Sequence, residues 1–159
     1  MPDMLVKLYN LPPLFPILEK NHHIGIQIRR PNSWEKATLL KWVKTNFNDR
    51  WAYECEATFI TLPPSSFIAE KNNDIIGFAS YDGTAKNFFG PTGVSEKARG
   101  QGIGTALLMA CLHAMKEAGY GYAIIGGVGP ASFYAKTVGA TLIEGSNLSI
   151  YFNNREPSQ

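Results

Sequence analysis

Arg99-Gly100-Gln101-Gly102-Ile103-Gly104-Thr105 is the stretch on which the reading of this chain turns. Three alternate glycines lie between a predicted strand over 88–94 and a predicted helix over 105–118. Glycine lets consecutive backbone amides turn toward a ligand with no Cβ in the way. At a helix start, such amides join the unpaired donors of the first turn and the positive end of the helix dipole. That arrangement binds anions, phosphates in particular. Arg99 adds a fixed charge and a fork of donors suited to phosphate oxygens. The stretch points to a phosphate-bearing small molecule.

Two other phosphate loops fit less well. The Walker-type loop places Lys before its Ser or Thr, whereas Gly104 precedes Thr105 here. A nucleoside-triphosphate reading is disfavoured accordingly. The dinucleotide fingerprint spaces its third glycine one residue later and opens a βαβ unit, while this loop lies past the middle of the chain. Gly127-Val128-Gly129-Pro130-Ala131-Ser132 also follows a strand and opens a helix. Too little chain follows it to build a dinucleotide domain.

Outward from the loop, hydrophobic spacing predicts strands over 24–29, 66–70, 75–81, 88–94, 122–126, 141–143 and 148–152. Lys71-Asn72-Asn73-Asp74 reads as a hairpin turn, and Gly90-Pro91 as a bulge or edge within the strand over 88–94. Asn32 or Ser33 caps a helix with the stripe Trp34, Ala37, Leu40, Val43 and Phe47. Asn48 or Asp49 caps a second helix through about 59, with Trp51 or Ala52, Cys55 and Phe59 inward. After the loop, Leu107, Leu108, Cys111, Leu112, Met115 and Ala118 form an apolar face. Thr105, Met109, His113 and Lys116 take the other, His113 as a solvated group, and Gly119 marks the stop. Pro130 opens a fourth helix, which ends near Val138-Gly139.

This order, with about four helices and seven strands, describes one α/β (α+β) domain over 1–159, with residues 1–23 unassigned and 153–159 a loose tail. With 45% hydrophobic and 18% charged residues, the chain reads as globular rather than disordered. A net charge of +2 and no basic run longer than Arg29-Arg30 give no reason to expect nucleic acid. There is neither a signal-peptide pattern nor an apolar run of membrane-spanning length. Cys55 and Cys111 stand apart, without metal-ligand spacing. A reduced, cytoplasmic chain without metal or membrane partner is expected.

Arg-Gly-x-Gly-x-Gly-x-Ala-Leu-Leu, five residues after Val94, resembles the pyrophosphate loop of the Gcn5-related N-acetyltransferase family. The resemblance covers about 24–152. It implies a mixed, mostly antiparallel sheet splayed between its fourth and fifth strands, with acetyl-CoA or CoA as co-substrate. Backbone amides of Gln101, Gly102, Ile103, Gly104 and Thr105, with Gly100 and the Arg99 charge, would face the pyrophosphate. Gly93 and Val94 would pair with the pantetheine arm as a strand does, and a backbone donor of that strand would polarise the thioester carbonyl. Gly126 and Gly127 would be small to admit the cofactor arm.

Phe133-Tyr134-Ala135-Lys136 is similar to the family's Phe-Tyr-x-Lys signature, although one extra residue precedes Gly139 and Ala140 replaces Phe. The resemblance implies that Phe133 borders the cofactor and that Tyr134 is the acid for the departing thiolate. The proton acceptor stays open among Glu54, Glu56, Glu70, Asp82, His22, His23 and water. Trp51 and Tyr53 fall where the family builds one wall of the acceptor cleft. The implied activity is transfer of an acetyl group to a primary amine, on a small molecule or a peptide. The alternative is a non-catalytic acyl-CoA sensor on the same fold. Oligomeric state is not legible.

Overall fold

The strand leading into the glycine loop is the middle of the sheet, and the rest of the fold is arranged about it. The computed structural model describes residues 1–151. In chain order the elements are β1 (Met4–Lys7), α1 (Phe15–His23), β2 (Gln27–Arg29), α2 (Lys36–Asn46), α3 (Asp49–Ala57), β3 (Ser66–Lys71), β4 (Asp74–Tyr81), β5 (Phe88–Val94), α4 (Ile103–Glu117), β6 (Tyr122–Ile125), α5 (Ala131–Val138) and β7 (Thr141–Leu142). They form one seven-stranded sheet in the order β2-β3-β4-β5-β6-β1-β7. Every neighbouring pair is antiparallel except β5 and β6.

Strand alternation divides the core. Ile68 and Phe78 face α2 and α3, whereas their neighbours Ala69 and Ala79 face α4. On the first side Leu39, Val43 and Cys55 close the layer; on the other Ile103, Leu107, Leu108 and Met115 do so. The β3–β4 hairpin turns through Asn72 (φ 52°) and Asn73 (φ 65°). A two-residue turn of this hand needs positive φ at both positions, which Asn tolerates.

The feature that makes a site is the parting of β5 from β6. Only Phe88 and Phe89 pair with β6, opposite Ile124 and Ile125; from there β5 runs on to Val94 with that edge free. Gly90-Pro91 forms the expected bulge, since Ala79 faces Thr92 while Tyr81 faces Phe89, so three steps of β5 answer two of β4. Beyond β5, the Ser95 amide donates to the Ile76 carbonyl at 2.8 Å, on the β4 side. By strand alternation the amides of Thr92 and Val94 then face the open cleft.

Several expectations need correction. Residues 1–23 are part of the fold: β1 lies between β6 and β7, with Met4 opposite both Ile125 and Leu142. The expected strand over 148–152 does not form, for Ser149–Tyr151 is a 3-10 turn. Phe152 and the tail 153–159 lie outside the described residues. The strand over 24–29 shortens to Gln27–Arg29, because Ile24 closes α1 and Gly25 turns at φ 82°. Trp34 is 80% exposed and Ala37 is exposed as well. A 3-10 turn over Ser33–Glu35 precedes α2, and its tighter winding shifts the phase, so Leu39 and Val43 go inward.

The helix after the loop starts at Ile103 rather than 105 and is buried almost all round. Met109, expected on a polar face, is fully buried. Leu11, Leu14 and Ile17 of the N-terminal segment pack against the same core, which supplies a cover that helical periodicity alone cannot anticipate. His113 is not merely solvated, for its Nε2 shares a 2.8 Å hydrogen bond with the Pro12 carbonyl. Ala118 is exposed, at the end of the helix.

Candidate functional site

Two adjoining cavities open along the free edge of β5. The first, about 540 Å³, is lined by Gly93, Val94, Arg99, Gly100, Gly102, Ile103, Gly104, Thr105 and Phe133, with Phe47, Trp51, Thr92 and Ala98. Gly100 and Gly102 take φ near 82° and 81°, a region side chains disfavour. A Cβ at either would meet nothing within 4 Å, and at Gly104 only Val94 Cγ2 at 4.0 Å. Among the described residues no packing calls for these glycines; the left-handed backbone favours glycine at the first two, and all three leave the space in front of the α4 N-terminus clear. There the first-turn amides have no helical partner.

The Arg99 side chain lies along this rim, its Nε donating to the Val94 carbonyl at 3.3 Å. Gln101 does not line the groove; its Nε2 turns back to the Ala98 carbonyl at 3.2 Å, leaving only its backbone as a donor. Gly93 has a packing reason for its size, because a Cβ there would stand 2.3 Å from Phe47 Cζ.

The second cavity, about 660 Å³, is lined by Arg50, Trp51, Glu54 and Thr84 together with Phe89–Thr92, 125–130, Tyr134, Leu148 and Tyr151. Trp51 and Thr92 border both cavities, so the two meet over the free edge of β5. Successive residues of α5 straddle that junction: Phe133 faces the first cavity and Tyr134 the second. Gly126 and Gly127 line the second cavity. Gly126 is small because a Cβ would come within 2.6 Å of the Tyr151 hydroxyl and 3.0 Å of the Phe88 ring.

Tyr134 is 8% exposed, packed edge-on to Phe133 and Phe89 at ring separations of 5.1 and 6.5 Å. Burial pushes its phenol above the ordinary value of 10.0, which keeps the proton on oxygen at neutral pH. Glu54 lies 3.5 Å from Arg50 Nε and is only 18% exposed. Burial raises its carboxyl above the ordinary carboxylate value, opposed by Arg50 and by a hydrogen bond with Thr84. Arg50 in turn lies over the Tyr151 ring, 4.9 Å from its centroid.

Of the other acid-base candidates, Glu70 is held by Arg29 at 2.9 Å. Asp82 closes its own loop by accepting from the Asn87 amide at 2.8 Å and the Tyr120 hydroxyl at 3.0 Å. Glu56, His22 and His23 are exposed and border neither cavity, and Tyr53, at 57% exposure, is not a wall. Burial raises both thiols, Cys55 to about 11, and neither reaches a cavity. The sequence reading passed over Arg50, Thr84 and Tyr151. Arg50 and Glu54 are spaced i, i+4 on one helix face, a signal present in the sequence; Tyr151 carried none, since it reads equally as a strand residue.

Comparison with known proteins places the fold. The profile of the acetyltransferase (GNAT) family matches residues 33–139. Among solved structures, the chain is similar to the GCN5-related glucosamine N-acetyltransferase region of a fungal multi-domain GH3 beta-N-acetylglucosaminidase. That match has a TM-score of 0.73 at 17% identity, covering 89% of this chain and 19% of the other. A GCN5-related N-acetyltransferase from Sphaerobacter thermophilus gives 0.64 at 18% identity, over 89% of this chain and 48% of the other. A GNAT family acetyltransferase from Brucella melitensis, solved with acetyl-CoA, gives 0.57 at 18%, over 76% and 90%. The chain thus spans about a fifth and about a half of the first two. No curated protein matches it.

Proposed function

The chain belongs to the acetyltransferase (GNAT) family, and from that premise we propose that it moves an acetyl group from acetyl-CoA to a primary amine by direct attack. The observation that carries the reading is the junction at Thr92, where a groove along the glycine loop meets a cavity lined by Tyr134. Gly100, Gly102 and Gly104 leave the first-turn amides of α4 clear for a pyrophosphate, with Arg99 at the rim. Of the two residues expected to pair with an extended arm, Val94 offers its amide to the cleft and pairs with the arm as a strand would, whereas the main-chain groups of Gly93 face β4. The residues present therefore fit CoA. The bound thioester supplies the activated acetyl carbon.

The remaining chemistry belongs to the side chains. The cleft-facing Thr92 amide donates to the carbonyl oxygen as negative charge grows on it. Glu54, whose raised pKa makes it a better base than an exposed carboxylate, takes the proton from the acceptor nitrogen, directly or through water. As the N–C bond forms and the C–S bond breaks, Tyr134 passes its proton to the departing sulfur. A buried phenol loses that proton to solvent less readily than an exposed one, so the acid is retained until the thiolate needs it.

The test has two parts. CoA at a hundred times its Kd should stabilise the fold by about 2.7 kcal/mol, and CoA thiol should be released from acetyl-CoA in the presence of at least one member of an amine panel. Stabilisation by ATP and none by CoA compounds would overturn the cofactor assignment. Tight CoA binding with no release across aliphatic, aromatic, sugar and peptidyl amines would favour the sensor.

A further inference from the structure

The carboxylate of Asp3, 4% exposed, has no part in the chemistry above. We propose that Asp3 is a positioning residue that ties together two stretches of chain lining the acceptor cavity, the loop after β6 and the segment 147–151. Its Oδ1 accepts from the Gly127 amide at 2.9 Å, and its Oδ2 accepts from the Ser149 hydroxyl. Gly127 belongs to the loop after β6, and Ser149 belongs to the C-terminal segment that carries Leu148 and Tyr151. These two stretches adjoin in the lining of the cavity, where the Tyr151 hydroxyl lies against Gly126. The proposal rests on the reading of that cavity as the acceptor site.

The main chain around Asp3 already does what the sheet requires. Its amide donates to Ser146 Oγ at 2.8 Å, its carbonyl accepts from Ile143 at 2.9 Å, and the Pro2 carbonyl accepts from Val128 at 2.9 Å. The side chain adds nothing to the β1 ladder; of its partners, Gly127 lines the cavity and Ser149 lies between the lining residues Leu148 and Tyr151. Among the described residues no cation pairs with it. A buried carboxylate is costly unless hydrogen-bonded, so these two donors are held firmly. Tyr151, two residues after Ser149, then has its hydroxyl against Gly126 and its ring under Arg50. Through that ring the clip reaches Arg50 and, beyond it, Glu54.

The test compares Asp3→Ala, Asp3→Asn and Ser149→Ala with the unaltered chain, using the best amine from the panel. Asp3→Ala should raise the acceptor KM about tenfold or more, as expected for loss of hydrogen bonds to a charged group. The Kd for CoA should change less than about twofold, because the first groove shares no contact with the clip. Asp3→Asn, which keeps one acceptor for Gly127, should recover part of the loss. Amide exchange read by mass spectrometry should quicken over 126–129 and 146–151 but not over 99–105.

The exchange measurement needs no acceptor. If no amine is turned over, the proposed function fails while the clip is still judged by exchange. Equal loosening of both cavities, or no change at 126–129 and 146–151, would overturn the clip. Should Asp3→Ala not fold, Ser149→Ala, which leaves the Gly127 contact in place, carries the same expectations at smaller size.

Discussion

The two cavities are built in opposite ways. The groove assigned to CoA takes most of its lining from one run of chain, 92–105, and its polar work is done by main-chain groups whose direction is set by glycine. The acceptor cavity is assembled from α3, the loop at Thr84, the bulged part of β5, the loop after β6, Tyr134 and the segment 147–151. Its polar work is done by side chains that belong to separate parts of the sequence. A contiguous site tolerates change elsewhere and fails on one backbone substitution. A dispersed site should degrade by degrees, through residues that never touch the reacting atoms.

Four substitutions sharpen that contrast, and the largest effect falls on the contiguous site. Gly104→Val places a branched Cβ where the protein has only Val94 Cγ2 at 4.0 Å, so folding should survive. Blocking two or more charge-assisted contacts should weaken CoA binding by at least ~100-fold by calorimetry. Wild-type affinity in a folded Gly104→Val protein would remove the loop from the site.

Tyr134→Phe deletes one hydroxyl from a residue lining the second cavity and should lower kcat by about 10²-fold. The CoA Kd and the thermal midpoint should hold. Unchanged single-turnover rates would reduce Tyr134 to a packing residue.

Glu54→Gln should have a smaller effect, about tenfold on kcat, at the low end for acid-base groups because water can relay the proton. Its pH dependence has a definite sign. The base works deprotonated, and burial raises its pKa, so kcat/KM should rise with pH through a midpoint above the ordinary carboxylate value of 4.5. The variant should lose that limb. A limb that persists in Glu54→Gln would assign it to another group.

Gly126→Ala should do least. Its Cβ would stand 2.6 Å from the Tyr151 hydroxyl and 3.0 Å from Phe88, so Tyr151 must give way. The acceptor KM should rise a few-fold, roughly the consequence of a shifted side chain in an otherwise intact wall. The CoA Kd should stay put. An effect on CoA and none on the amine would invert the assignment of the two cavities.

What could be read in advance follows the same division. Arg99 to Thr105, the Asn72-Asn73 turn, the Asn48 cap (its Oδ1 accepts from the Trp51 amide at 2.8 Å) and the Gly90-Pro91 bulge are local. Each is dictated by the φ a residue tolerates or the donor its side chain accepts. Among the base candidates, Glu54 stood beside five other side chains and water with nothing to separate them. Burial in the cavity lining beside Arg50 distinguishes it, and burial is a property of the assembled fold. Trp34 was misread for a related reason: one 3-10 turn changes the phase of a helix, and periodicity does not announce it.

The N-terminal segment marks the limit. Met4-Leu5-Val6-Lys7 is too short for periodicity to separate from a loop, and its partners Ala123 and Thr141 lie more than a hundred residues away. Local chemistry, namely glycine conformations, capping groups and apolar spacing, determined from sequence alone that this chain has a glycine-rich loop at a helix start within a domain of strands and helices, and the family resemblance added the mixed sheet. Which strand fills the slot between β6 and β7, which carboxylate reaches the cavity and what holds Tyr151 over Gly126 were decided only by the tertiary structure. Those contacts join residues whose separation along the chain leaves no local trace, and they form only once burial of the sheet brings them together.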